Sequence, residues 1–182
     1  MEQSTPNPTK IATKWALIYL LTAIVLTYII QYLSPDPNSP LKYLGYVPFI
    51  AFLLLAQKEY KDQLGGYLTF SEGFSSGFRY AVFASLLIAV FTFIYLTFLN
   101  PGMMDKAAEQ ARAQMEAKGG MSSDDIDKAV SLTKKIGPAV GSFFIAIIDT
   151  IVGIIIALIG AAVFKKERSP FDPEPNITEP TV

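Results

Sequence analysis

The sequence predicts an all-α integral membrane protein: a four-helix bundle with an extramembrane helical hairpin between spans 3 and 4. Three observations carry this expectation. Apolar residues make up 51% of the 182-residue chain against 17% charged, and mean hydropathy is +0.36. The apolar residues gather in long runs, the pattern of a membrane protein. The longest, residues 138–164, carries a single charge, Asp149, near its midpoint. A helix of that length reaches ~40 Å, enough to cross a ~30 Å hydrocarbon core with some tilt.

Composition also excludes. Net charge is −1, which suggests neither a nucleic-acid partner nor an acidic substrate. Cys and His are absent. That removes disulfides, thiol nucleophiles, Cys/His metal sites, His-ligated haem and His bases together.

Residues 1–14 read as a polar tail holding Pro6, Pro8, Lys10 and Lys14. The apolar run at 15–33 is longer than a signal-peptide core and no small-residue cleavage site follows it, so it is expected to be a retained first span. SPDPNSP at 34–40 is a tight turn. The second span, 41–56, is short; Lys42 is expected to snorkel outward, with Tyr43 and Tyr46 at headgroup depth. Pro48 inside it predicts a kink, and a re-entrant or surface-lying segment is the competing reading. Residues 57–68 read as a charged loop with paired glycines.

Thr69-Phe70-Ser71-Glu72 fits a capping box, with Thr69 and Glu72 satisfying each other's backbone donors. It opens a helix to Leu99 whose membrane part, span three, covers 76–99, closed by Asn100-Pro101-Gly102. The hairpin, 103–136, contains helix formers with Glu109/Arg112 and Arg112/Glu116 in register, then a Gly119-Gly120 break. Ser122 with Asp125 starts its second helix, which bears an Asp124/Lys128 pair. Met104, Ala107, Ala111 and Met115 form its less polar side. The fourth span is 138–164, and the proline-rich tail 169–182 is expected to be disordered.

Four spans put both termini on one side, with eight basic residues there and seven on the other, where the hairpin balances six bases against six acids. Short flanking segments weigh most, so the termini are placed in the cytoplasm.

Within the fourth span, Ser142, Ala146, Asp149, Gly153, Ala157 and Gly160 form one stripe of mostly small residues, the kind that lets helices approach closely in lipid. Asp149 on this stripe has two readings. One is a proton or cation site; the other is a structural acid hydrogen-bonded to a neighbouring span, with Thr27 or Thr92 at matching depth. Arg79 lies too near the inner end of span three to be its counter-ion and is expected to meet lipid phosphates or Glu72. No phosphate loop, nucleophile elbow, catalytic carboxylate pair or metal-ligand set is present, so neither enzymatic activity nor a cofactor is expected.

The stretch Gly65-Gly66-Tyr67-Leu68-Thr69-Phe70-Ser71-Glu72-Gly73-Phe74-Ser75-Ser76-Gly77-Phe78 resembles domain of unknown function family 4199, small bacterial four-span membrane proteins. Asn100-Pro101, the acidic helical loop and a Gly-rich last span ending in Lys165-Lys166 fit the same family, and the likeness covers roughly residues 10–168. The resemblance implies an inner-membrane protein of a Gram-negative bacterium and carries over no catalytic or ligand residues. The expected function is a non-enzymatic structural or accessory module in the bilayer, packing with itself as a homo-oligomer or with a membrane-complex partner. The alternative is a small transporter or proton/cation-coupled carrier using Asp149.

Overall fold

The computed structural model describes residues 6–33 and 40–168, apart from the side chain of Lys42. Residues 1–5 of the polar tail, the turn at 34–39, the tail 169–182 and the outward reach of Lys42 lie outside the described residues. The fold is all-α. Five helices run in order: α1 (Pro8–Leu33), α2 (Tyr46–Gln63), α3 (Phe70–Ile94), α4 (Gly102–Lys118) and α5 (Ser123–Phe164). A 3-10 segment, Pro40–Gly45, leads into α2, and a π-helical segment, Tyr95–Leu99, prolongs α3. Three elements are long and apolar enough to cross a membrane: Pro8–Leu33, Phe70–Leu99 and Ser123–Phe164.

Helix α1 starts earlier than the apolar run at 15–33. The Asn7 side chain accepts from Thr9 N–H at 2.9 Å and Lys10 N–H at 3.3 Å, and Pro8 occupies the first helical position, where its missing donor costs nothing. Half of the expected polar tail is therefore helix. Its buried face is Ile11, Ala12, Ala16, Tyr19 and Ala23, at helical spacing, while Leu17, Leu21 and Val25 face outward.

The second apolar run departs most from expectation. Residues 41–45 wind as 3-10 helix and α2 proper begins at Tyr46, so Pro48 falls in the first turn. There the proline removes no intrahelical bond, and the expected kink has no cause. Nor does the helix stop at Ala56. Gln57 and Tyr60 continue the buried face of Phe49, Leu53 and Ala56, so the charged loop expected at 57–68 is helix as far as Gln63. The stop comes from Gly65 and Gly66, at φ 78° and 86°. Gly66 N–H reaches Lys61 O and Gly65 N–H reaches Asp62 O, a Schellman closure that residues without a Cβ enter at no steric cost.

Thr69 caps α3: its hydroxyl accepts from Glu72 N–H, and the Glu72 carboxylate accepts from Thr69 N–H at 2.9 Å. At the far end, Asn100 N–H closes on Tyr95 O at 2.7 Å. Helix α5 is one element of 42 residues, where separate helices ending near Ile136 and starting near Pro138 were expected. Pro138 removes one donor mid-helix, a local cost of ~3 kcal/mol that the surrounding contacts can carry. Met104 of α4 covers Gly137, and Lys134 pairs with Asp105 at 2.7 Å. Further along, Arg112 of α4 pairs with Asp127 and, at 3.8 Å, with Glu116. Lys128 meets Asp125 at 4.0 Å rather than Asp124. The packing face of α4 is Met104, Ala108, Ala111 and Met115: three of the four expected residues are half-buried on it, Ala108 is its buried centre, and only Ala107 is exposed.

Helices α1 and α2 run antiparallel, with the Trp15–Phe52 rings 5.6 Å and the Tyr19–Phe49 rings 5.4 Å apart. The most extensive contact joins α3 and α5. Phe49, Leu53, Tyr80 and Leu68 form the fully buried apolar centre, and Tyr80 donates to Phe49 O at 3.1 Å.

Candidate functional site

Small residues build the α3–α5 seam from both sides. On α5, Ser142, Asp149, Gly153, Ala157 and Gly160 are buried and Ala146 is half-buried. Helix α3 offers Gly73, Gly77 and Ala81 at the same interval of four. The stripes run antiparallel and in step: Gly73 against Ala161, Gly77 against Ala157, Ala81 against Gly153. A Cβ on Gly73 would stand 3.3 Å from Ala161 Cα, and one on Gly77 2.8 Å from Ala157 Cβ. The glycines are what let the two backbones meet.

Gln57 of α2 enters this seam, fully buried. Its Nε2 donates to Gly73 O and to Ala157 O, both at 2.9 Å, so one amide ties three helices together. Those carbonyls already serve helix bonds and accept through their second lone pair. Gln57 Oε1 has no hydrogen-bond partner among the described residues. It lies against Gly160, where any Cβ would collide with it, and a Cβ on Gly77 would come within 2.6 Å of Nε2. Sequence reasoning placed Gln57 in a loop and missed it. The signal was available: Gln57 continues the Phe49–Leu53–Ala56 face one step past the apolar run, and Gly73-x-x-x-Gly77-x-x-x-Ala81 repeats the interval of the α5 stripe.

Asp149 lies two turns from the Gln57 junction and is 7% exposed. Its Oδ1 accepts from Tyr46 Oη at 3.2 Å. Tyr46 thus takes the place expected of Thr27 or Thr92. Thr27 is turned away, donating to Ala23 O of its own helix at 2.8 Å, and Thr92 is half-buried without a hydrogen bond to Asp149. Tyr46 was assigned to headgroup depth, but it opens α2 and its phenol reaches the level of Asp149. One further step of the α3–α5 register puts Ser85 opposite Asp149; its hydroxyl is buried and unpartnered. Ser142 bonds within its own helix, to Pro138 O at 2.6 Å and Ala139 O at 3.1 Å.

Arg79 is half-buried and makes no ion pair within 4.0 Å among the described residues; the Glu72 carboxylate is committed to Thr69 N–H and Oγ1. At the same end of the molecule, Glu59 of α2 binds Lys14 Nζ at 2.6 Å and Trp15 Nε1 at 2.6 Å. Burial alone would raise the Glu59 carboxyl, but hydrogen bonds from Lys14, Trp15 and Gln63 and the Lys14 charge hold it below its ordinary value. Among the described residues no three carboxylates converge as a metal site would require.

The arrangement is a set of polar side chains that join helices, around one enclosed carboxylate. Comparison with curated proteins and with solved structures finds no match. A family sequence model, described as protein of unknown function (DUF4199), matches residues 14–166, from the Lys14 contact in α1 to the Leu68–Lys166 bridge. The chain belongs to that family.

Proposed function

We propose that this protein is a multi-pass protein of the bacterial inner membrane, a non-enzymatic structural or accessory module that packs with itself or with a membrane partner. It crosses four times. The 3-10 segment and α2 as far as Ala56 span ~28 Å, close to the ~30 Å hydrocarbon core, which supports a second crossing beside the three apolar helices. The termini are cytoplasmic, and α4 with the first turns of α5 stands on the opposite side. The observation that carries the accessory reading is the use made of polar side chains in the apolar body: the Gln57 amide serves two helix backbones and the Asp149 carboxylate is met by Tyr46.

Because Gly153 and Ala157 face α3 of the same chain, partner contacts fall on outward residues such as Ile151 and Ile155. The chain has no cysteine, so single cysteines at Ile151 or Ile155 give clean cross-linking in native membranes. Cross-linked dimers or a defined heteromeric product support the reading; a monomer at every outward position refutes it. Reporter fusions at Gly119 and Val182 test the orientation.

A second reading, a small proton- or cation-coupled carrier, draws on one observation. The helix changes from 3-10 to α at Tyr46, the residue that holds Asp149, so a backbone irregularity coincides with the buried carboxylate. In this reading Asp149→Asn abolishes a flux in proteoliposomes while helicity is unchanged; unaltered flux removes it.

A further inference from the structure

The segment leaving α5 does not trail away from the molecule. Leu68 and Lys166 form an antiparallel bridge, each N–H reaching the other's carbonyl at 2.9 Å. The bridge ties the loop before α3 to the two residues after α5. It brings two cations to one aromatic ring: Lys166 Nζ lies 5.1 Å and Arg168 Cζ 4.9 Å from the Tyr67 ring centre. Beside them is an open groove of about 330 Å³, lined also by Thr69 and Glu72.

Charge in this groove is unevenly committed. Glu72 is held by the Thr69 cap, and Glu167 pairs with Lys165 at 3.0 Å. Lys166 and Arg168 have no acidic partner among the described residues. Among the described residues the acids are satisfied and the cations are not. The position is also specific: Tyr67 precedes the first turn of α3 and Lys166 follows the last turn of α5, the two most extensively packed apolar helices. An aromatic ring with two basic side chains at the ends of two spans stands at headgroup depth.

We infer that the Tyr67–Lys166–Arg168 groove binds the phosphate of one anionic phospholipid headgroup. Arg168 supplies planar paired donors and Lys166 a point charge, and the main-chain bridge holds the backbone at Lys166 before the lipid arrives, which lowers the ordering cost of binding. The inference rests on the bilayer reading above.

The test is native mass spectrometry of the full chain released from nanodiscs containing phosphatidylglycerol and phosphatidylcholine in equal amounts. Wild type is expected to retain one phosphatidylglycerol with about thirtyfold preference, the scale that two basic side chains provide at an anionic surface. Lys166→Gln/Arg168→Gln loses the preference. Lys10→Gln/Lys58→Gln, an equal charge change at exposed positions on other helices, keeps it. Equal retention by wild type and the Lys166/Arg168 variant overturns the site, as does equal loss in the control. Displacement of the lipid by glycerol phosphate added to the nanodiscs overturns the lipid assignment in favour of a free-anion site. A chain removed from membranes by carbonate washing refutes the bilayer reading itself; one that stays but shows no lipid preference refutes only the headgroup site.

Discussion

The fit of Gly160 against Gln57 makes a quantitative prediction. Gly160→Ala places a methyl where Gln57 Oε1 now lies, with Leu54 Cδ2 2.9 Å away. Gln57 must withdraw, and its two bonds to Gly73 O and Ala157 O lengthen or break. Interhelical hydrogen bonds in membrane proteins average ~0.6 kcal/mol each. Overpacking a tight seam adds ~1–3 kcal/mol. The expected loss is therefore about 2–4 kcal/mol, read as a shifted midpoint when helicity is followed through a denaturing-detergent titration of the solubilised protein. The decisive measurement is a double-mutant cycle. In a Gln57→Ala background the obstructing amide is gone, and Gly160→Ala should cost less than ~1 kcal/mol, a coupling of ~1–3 kcal/mol. Gly153→Ala is the control: its methyl would strike Ala81 and come within 3.2 Å of Phe49, so its cost persists without Gln57. If Gly160→Ala and Gln57→Ala add within ~0.5 kcal/mol, the amide is not what Gly160 makes room for.

Three further outcomes follow from the described contacts. Glu59 has a depressed carboxyl, so its contact with Lys14 and Trp15 contributes stability above the unfolded-state value of ~4.3 and loses it as pH falls through the lower folded value. Trp15 is the sole tryptophan, so its emission should change below pH ~4.3 and that transition should vanish in Glu59→Gln; a transition at higher pH, or one that survives the substitution, rejects the assignment. Thr69→Ala removes the α3 cap and should cost ~1 kcal/mol in the same detergent titration, with Thr69→Ser close to wild type. Tyr46→Phe deletes the donor to Asp149 and should cost ~1–2 kcal/mol, more than Thr27→Val, whose hydroxyl serves only its own helix; the reverse order would show that Tyr46 does not partner the acid.

The sequence carried the long-range features of this fold unevenly. The α3 cap was legible because Thr69 and Glu72 stand at the spacing their mutual hydrogen bonds require. The α5 stripe was legible because small residues recur on one face. The partner of Asp149 was not, because depth counting assumes a uniform rise and follows the backbone alone. The 3-10 winding of 40–45 changes that rise by only ~3 Å, and counting by backbone position leaves out the length of the Tyr46 side chain, whose hydroxyl meets the acid. Gln57 was hidden by a polarity rule: a glutamine beside Lys58 and Glu59 reads as a loop until the helical face is followed through it. The start of α1 was written plainly in Asn7-Pro8 but was passed over because hydropathy marks where lipid contact begins, not where a helix does. Pro138 gave the opposite error, since a proline read as a boundary sits inside a helix that α4 braces from the side.

That braced, uninterrupted α5 has a mechanical consequence. From Asp149 to Ser123 the rod extends ~39 Å, so a tilt of ~10° about the buried acid swings its far end through ~7 Å. The Arg112–Asp127 and Lys134–Asp105 pairs oblige α4 to ride with it. A rearrangement too small to disturb the glycine seam at one end of α5 is thus delivered to the other end as a displacement wider than a helix turn, provided that α4 holds the helix straight at Pro138.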